Sequence, residues 1–356
     1  MIYKILFKLT RYMQILGIFN ISRGVFVGWR VIANDFSYYT KDLIDLTKIF
    51  MTRYNKKYSV NYSSASECFW FLSEHYSEYD VFIPNRGFHS TLLAFCANRK
   101  MDKVKLYNVD TFLRPLPSVI DEITENSLIV VNDYGGLGWD ISALRSELPK
   151  SVTIILDGSH SHFTQFDGKM MAECADISVL SLQGSKAVPA GEGGFMLTDS
   201  QTVAKQALKY SHFNNENLME VFRFQREESS TPYGIGHKHR MNALGASLAL
   251  FSVKYFPKNR RSNHRRNGAY LTKRLGIVAG INEYYAMGFP IQLDKIRNIE
   301  YYKEFNVVTE LIYPRLTIAS DKLSQNPAKT DLVILRRELF DLPHFIFKLL
   351  INKIVK

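Results

Sequence analysis

Cysteine is scarce in this chain. Its three cysteines, Cys68, Cys96 and Cys174, stand far apart. That spacing excludes a disulfide framework and a cysteine-based metal site, and it fits a reducing cytoplasm. Long apolar runs are missing too: no uninterrupted stretch reaches the ~20 residues that a bilayer-spanning helix needs. No small-residue cleavage site follows the first residues, so no cleaved leader is expected. Repeats and low-complexity segments are absent. Acidic residues are outnumbered, 34 against 45 basic ones, which leaves a net charge of +11. That balance favours anionic partners: a phosphorylated cofactor, a nucleotide-linked substrate, nucleic acid or an anionic membrane surface.

What is present is globular. Hydrophobic residues make up 46% and charged residues 22% of 356 positions, which suits a sizeable core and two unequal domains. We expect a large domain at residues 1–235, with an N-terminal helical segment, and a smaller one at residues 236–356. Residues 1–13 and 343–356 are apolar but broken by basic residues. Each reads as a basic amphipathic helix that could make a weak membrane-surface contact. Packing such a stripe on the body of the protein is the commoner arrangement.

Residues 39–54 read as a helix. A polar turn at residues 61–66 opens another, running to about residue 76. Small and hydroxyl residues at such a start serve either as a plain N-cap or as a phosphate site. Short apolar runs follow at residues 80–84, 103–109, 127–133, 152–156 and 176–180, interleaved with helical stretches at 88–98 and from about 140. This alternation indicates a mostly parallel sheet covered by helices on both faces. Ligands bind such sheets beyond the carboxyl ends of the strands. Asp157, Ser181 and a loop bearing Lys186 therefore share one edge, which the Ser66 helix start can join.

Lys186 sits among small, mostly uncharged residues, between the run ending at Leu180 and Gly191-Glu192-Gly193-Gly194. Alone it reads as a surface lysine beside a glycine turn. Held between buried strands, it reads as an amine freed for Schiff-base chemistry. Asp157 can serve as a helix cap, a metal ligand or the partner of a protonated nitrogen. His160 and His162 form an i,i+2 pair, but no third ligand stands at a recognised spacing, so no metal is expected. Residues 214–236 are polar and loop-rich, and residues 242–256 read as a long helix. The basic cluster at 258–266 lacks interleaved aromatics and a helix-turn-helix pattern. It reads as a solvated helix face, with no nucleic-acid partner. Strand-like runs at 305–308 and 332–335 suit a smaller α+β domain.

The ordered set Ser66, Phe88, Asp157, Ser181, Lys186 and Gly191-Glu192-Gly193-Gly194 resembles the fold-type-I, pyridoxal-phosphate-dependent sugar aminotransferases of the DegT/DnrJ/EryC1/StrS family. In that family a serine lies five residues before the Schiff-base lysine and Gly-Glu-Gly-Gly shortly after it. Asp157 with His160 matches its Asp followed three residues on by Gln, Glu or His. Ser63-Ser64-Ala65-Ser66 is similar to its phosphate turn, Pro84 to Phe88 to its Pro-x-x-x-aromatic element, and Gly236 to Arg240 to its Gly-x-Asn-x-Arg segment. The resemblance covers residues 25–275 and fades in the small domain.

The resemblance implies a PLP-transferase fold, with a seven-stranded-type sheet between helices and a smaller C-terminal α+β domain. It implies that Lys186 binds PLP covalently and moves the proton, that Asp157 pairs with the pyridinium nitrogen, and that Phe88 stacks on the ring. Ala65 and Ser66 through their backbone N–H groups, with Ser181, would bind the phosphate; His160 would sit by the phenolic oxygen. Lys238 would reach the phosphate of the partner subunit in a homodimer with active sites at the interface. Ala65 replaces the family's glycine, and Lys238 its asparagine. Gln183, which we place by the cofactor, and the Ser-His pair are similar to members acting on cyclitols or aminohydroxybenzoate precursors. A branch that dehydrates sugars has histidine at the lysine position; Lys186 departs from it. The expected activity is transfer of an amino group from glutamate or glutamine to a nucleotide-linked keto-sugar, for a surface polysaccharide. The alternatives are a cyclitol or other carbocyclic ketone as acceptor, or a non-enzymatic regulatory protein on the same fold.

Overall fold

The computed structural model describes residues 39–97, 101–212, 237–254, 258–276, 281–283, 288–304, 308–310, 315–319, 322–326, 332–335 and 337–356. The amphipathic segment at residues 1–13 and the polar stretch at 214–236 lie outside them.

Helix α1 (Tyr39–Arg53) leads into β1 (Tyr58–Tyr62), α2 (Ala65–His75), β2 (Asp80–Pro84), α3 (His89–Ala97) and β3 (Val104–Tyr107). Then come β4 (Ser127–Asn132), α4 (Ile141–Glu147) and β5 (Thr153–Asp157), followed by a small hairpin of β6 (Gln165–Phe166) and β7 (Lys169–Met170). Strands β8 (Ile177–Ser181) and β9 (Gly194–Thr198) flank the lysine loop, and α5 (Gln201–Ser211) follows. The central sheet has seven strands in the order β1-β9-β8-β5-β4-β2-β3. Its pairings are parallel from β8 to β3, and β9 joins β8 and β1 by antiparallel ones. This is the expected mostly parallel sheet. Strand β1 was not among the expectations: its short, tyrosine- and asparagine-bearing sequence takes strand form through pairing with β9.

Every residue of β4, β8 and β9 is buried, because helices cover both faces and leave no polar side. The period of two then splits the strands between two cores. Ile129, Val131, Ile154 and Leu156 pack with Leu46 and Phe50 of α1. Leu128, Val130, Ile155 and Val179 pack with Phe69, Leu72, Phe95 and Leu208 on the other face.

Helix α6 (Ala243–Lys254) lies beyond the boundary at 235/236 expected from sequence, yet Ala246, Ala249, Leu250 and Val253 enter the same core as α1. The smaller unit takes shape from α7 (Lys258–Arg274) onward. Strand β10 (Ile281–Glu283) pairs with β6 and ties this unit to the large one. Next come β11 (Phe289–Gln292), α8 (Ile299–Glu304), β12 (Val308–Glu310), the hairpin β13 (Arg315–Ala319) and β14 (Lys322–Asn326), and β15 (Leu332–Leu335). Strands β11, β15 and β12 form an antiparallel sheet. Helix α9 (His344–Ile354) completes this α+β unit.

Helix α9 shows where the apolar C-terminus goes. Phe347, Leu350, Ile351 and Ile354 are buried with Leu271, Phe289, Leu335 and Phe340, so its apolar stripe packs on the body. Among the described residues no helix is long and apolar enough to cross a membrane. The basic cluster is solvated on one face only. Arg265 and Arg266 are exposed, while His264 Nε2 meets Asp341 Oδ1 at 2.9 Å and Asn267 Nδ2 donates to the carbonyls of Phe340 and Leu342. Phe347→Ala is expected to cost about 3–5 kcal/mol, because it empties a fully buried aromatic site; urea unfolding measures the loss.

Candidate active site at the carboxyl edge of the sheet

Strand register aligns the edge. Asn132 of β4 lies opposite Asp157 of β5, and Ser181 of β8 opposite Gly194 of β9, which in turn faces Tyr62 of β1. Helix α2 starts beside this row. Ser64 is its extended N-cap, with φ −156° and ψ 164°, and its Oγ accepts the Glu67 N–H at 3.3 Å. The N–H groups of Ala65 and Ser66, in the first turn, have no intrahelical acceptor and carry the positive end of the helix dipole. Ser66 Oγ donates to Ser90 Oγ at 3.1 Å. A Cβ on Gly194 would lie 2.5 Å from Ala65 N and Ser64 C. Glycine there lets β9 pass against the helix start.

The lysine loop folds back on itself. Leu182 N–H donates to Gly193 O, Gly184 N–H to Gly191 O and Ala190 N–H to Leu182 O, at 2.8, 2.8 and 2.7 Å. Gly191 and Gly193 have φ of +83° and +155°, regions that glycine enters without penalty. Gln183 Oε1 accepts from Ser185 N–H at 2.8 Å. Ala187 and Val188 are anchored in the core next to half-buried Lys186.

Residues 157–164 form a strap across neighbouring loops. Asp157 Oδ1 accepts from Ser159 Oγ at 2.6 Å, and its Oδ2 from Thr91 Oγ1 at 3.2 Å. His160 Nδ1 accepts the Gly135 N–H at 3.1 Å, which puts the ring proton on Nε2. Ser161 Oγ donates to Asp133 Oδ2 at 2.6 Å, and Thr164 Oγ1 to Gly136 O at 2.9 Å. Burial pushes the Asp133 carboxyl up, while hydrogen bonds from Ser161 and the Gly138 amide and the charge of Arg114 pull it back. His162 is fully buried, and its Nε2–H donates to Ser181 O at 2.6 Å. The two histidines of the i,i+2 pair thus serve different partners. Among the described residues no three histidine, cysteine, aspartate or glutamate side chains could hold a metal.

These elements enclose a cavity of about 440 Å³. Ala65, Ser66, Phe88, Asp157, His160, Ser181, Gln183 and Lys186 all line it. Lys238 is not among its lining residues; its main chain bridges to His212, and the next residue, His239, accepts the Ser63 N–H ahead of α2. The sequence reading missed Asn132, Asp133, Tyr134 and Ser159, which also line the cavity. A signal was present: the run at 127–133 ends in Asn132-Asp133 just as the next ends in Asp157, and parallel strands end at one edge.

Fold and site define a PLP-transferase scaffold of fold type I, with a lysine loop at the sheet edge. The family model for the DegT/DnrJ/EryC1/StrS aminotransferase family matches residues 79–312, more than half of the sequence, and the chain belongs to that family. It is 26% identical over 255 residues to UDP-4-amino-4,6-dideoxy-N-acetyl-beta-L-altrosamine transaminase of Helicobacter pylori, an alignment covering 68% of this chain and 63% of the relative. It is 33% identical over 141 residues to L-glutamine:scyllo-inosose aminotransferase of Streptomyces griseus, covering 36% of this chain and 30% of that one. The chain thus spans less than two thirds of the length of the curated relatives it matches. Among solved structures, E. coli GDP-4-keto-6-deoxy-D-mannose-3-dehydratase with bound hydrated PLP superposes with a TM-score of 0.69 at 14% identity, covering 88% of this chain and 92% of that one.

Acid should weaken this fold. Burial holds His162 at about 4; the hydrogen bond to Ser181 opposes that, and the charges of Lys186 and Arg53 add to it. Burial likewise holds His212 at about 4, helped by Arg240 and Lys238. Both are neutral in the fold and take a proton near 6.5 when unfolded. Their contribution is therefore complete above about pH 6.5 and is lost as pH falls toward 4. At pH 5 the loss is on the order of 2 kcal/mol for each. Asp133, raised by burial, acts with the opposite sign. We expect the urea midpoint to drop between pH 7 and pH 5, and His212→Phe to flatten that dependence. Gly194→Ala should cost about 1–3 kcal/mol by pushing β9 off the α2 start, read in the same unfolding experiment.

Proposed function

We propose that the chain is a PLP-dependent aminotransferase that moves an amino group from glutamate or glutamine to a nucleotide-linked keto-sugar in surface-polysaccharide synthesis. The observation that carries this reading is the convergence of Lys186, Asp157 and the start of α2 on one cavity. The donor set fits the cofactor. First-turn N–H groups with the Ser66 and Ser181 hydroxyls suit a phosphate. Asp157, held between Thr91 and Ser159, suits a protonated ring nitrogen. Phe88, 46% exposed, lines the cavity with an aromatic ring that suits stacking. When bound, PLP supplies the electron sink for the carbon that loses its proton.

Lys186 takes and returns that proton. Its neighbours Ala187 and Val188 are locked in the core, which limits how far the amine can swing. Ser159 and Thr91 both donate to Asp157 and fix the orientation of its carboxylate. His160, with Nδ1 engaged by Gly135, retains Nε2–H as a donor for a phenolic oxygen. Among the described lining residues Lys186 is the single formal cation, against Asp133, Asp157 and Glu192. A phosphate would thus be held mainly by dipoles and hydroxyls. This supports a homodimer in which Lys238 lends a cation to its partner's site. We place the protein in the cytoplasm. A weak membrane contact would fall to the outer stripe of α9, where Phe345 and Leu349 are 66% and 53% exposed.

The similarity to the inosose aminotransferase supports a second acceptor, a cyclitol ketone. Assay with NDP-keto-sugars against keto-inositol separates the two. Protein titrated with PLP should develop a visible band that hydride reduction fixes covalently. Lys186→Ala should abolish the fixation and lower turnover at least ~100-fold. A protein that stays colourless with added PLP would overturn the proposal.

A further inference from the structure

We infer that His162 is a positioning residue of this site: its side chain takes the place of a missing rung in the sheet and thereby sets Ser181 and the root of the lysine loop. The inference rests on the cofactor reading above. Parallel pairing of β5 with β8 runs from Ile155–Ile177 to Asp157–Val179. Gly158 N–H then takes the carbonyl of Val179 at 2.8 Å. The next carbonyl of β8 on that side, two residues on, is that of Ser181. By then the β5 chain has turned away into the strap, so no main-chain N–H arrives. The His162 ring arrives instead, with Nε2 at 2.6 Å from Ser181 O.

The ring is built for that one bond. A carbonyl only accepts, so the proton is on Nε2 and Nδ1 carries a lone pair. Nδ1 is buried with no hydrogen-bond partner. Leaving a buried polar atom unpaired is unfavourable, and a phenylalanine would fill the space without it. What histidine adds is the bond to Ser181. Phe50 and Phe163 flank the ring at 6.4 and 6.5 Å, and Tyr54 Oη donates to the His162 carbonyl at 2.7 Å, which fixes its main chain.

The bond acts on the cavity through Ser181. Ser181 lines the cavity, its Oγ accepts the Gln183 N–H at 3.4 Å, and the next residue, Leu182, both donates to Gly193 and accepts from Ala190 at the mouth of the lysine loop. A Ser181 carbonyl free to rotate would move the hydroxyl and that mouth together. The neutral state of His162, maintained by burial and by the charge of Lys186 nearby, keeps a second cation away from the amine.

The test compares PLP affinity, by absorbance titration of the full chain, in wild type, His162→Phe and His162→Gln, with urea unfolding of each as a fold control. We expect His162→Phe to weaken PLP about tenfold or more, as for one lost buried hydrogen bond, and the glutamine amide to recover most of it at similar stability. His162→Phe binding PLP as wild type does, or both variants losing affinity in proportion to stability, would overturn the inference and leave the proposed function standing. Wild type binding no PLP would overturn both.

Discussion

Parallel strands that stop at one edge leave their last backbone groups without strand partners, and the cavity of this protein is made from what satisfies them. β4, β5 and β8 stop within one rung of each other. Past that point side chains and turns must pair the main chain, because a buried carbonyl or amide left alone is unfavourable. The strap at residues 157–164 supplies three such pairings, His160 to Gly135, His162 to Ser181 and Thr164 to Gly136, and its Ser161 holds the Asp133 side chain. One eight-residue segment thus fixes two neighbouring loops while presenting Asp157 to the cavity.

The same construction governs the site's electrostatics. The described lining carries three carboxylates and one lysine, although the whole chain is strongly basic. In the proposed function, attraction for a phosphate would therefore come mainly from oriented N–H groups and hydroxyls of this chain rather than from its formal charge. Such groups need little reorganisation and act most strongly where water is excluded. The close pass of Gly194 against Ser64 and Ala65 places the helix start in that low-dielectric corner. The basic excess lies elsewhere, notably on α7, where seven lysines and arginines stand without an acidic residue.

Much of this was legible before any coordinates. Apolar runs bounded by polar turns located β2, β4, β5 and β8 to within a residue or two, because strands covered on both faces must be apolar throughout. The spacing from Ser181 through Lys186 to Gly191 and Gly194 marked the loop, because its turns need glycine conformations. Strand β1 was not legible, since Tyr58, Ser59 and Asn61 become strand only beside β9. The continuation of helix α6 into the large core was missed for a similar reason: a helix's apolar residues do not say which neighbour they will meet.

The sequence by itself determined the mostly parallel sheet and most of its strands, because these follow from local patterns of polarity, and it placed Lys186 and Asp157 at the ends of two of those strands. Tertiary structure alone decided what those groups rest on. Asn132, Asp133, Tyr134 and Ser159 join the cavity through strand register. His162, which the sequence offered as half of a metal pair, became the donor that finishes a strand 19 residues further along the chain. Hydrogen bonds between distant segments depend on where the sheet ends, and no local pattern in the chain encodes that.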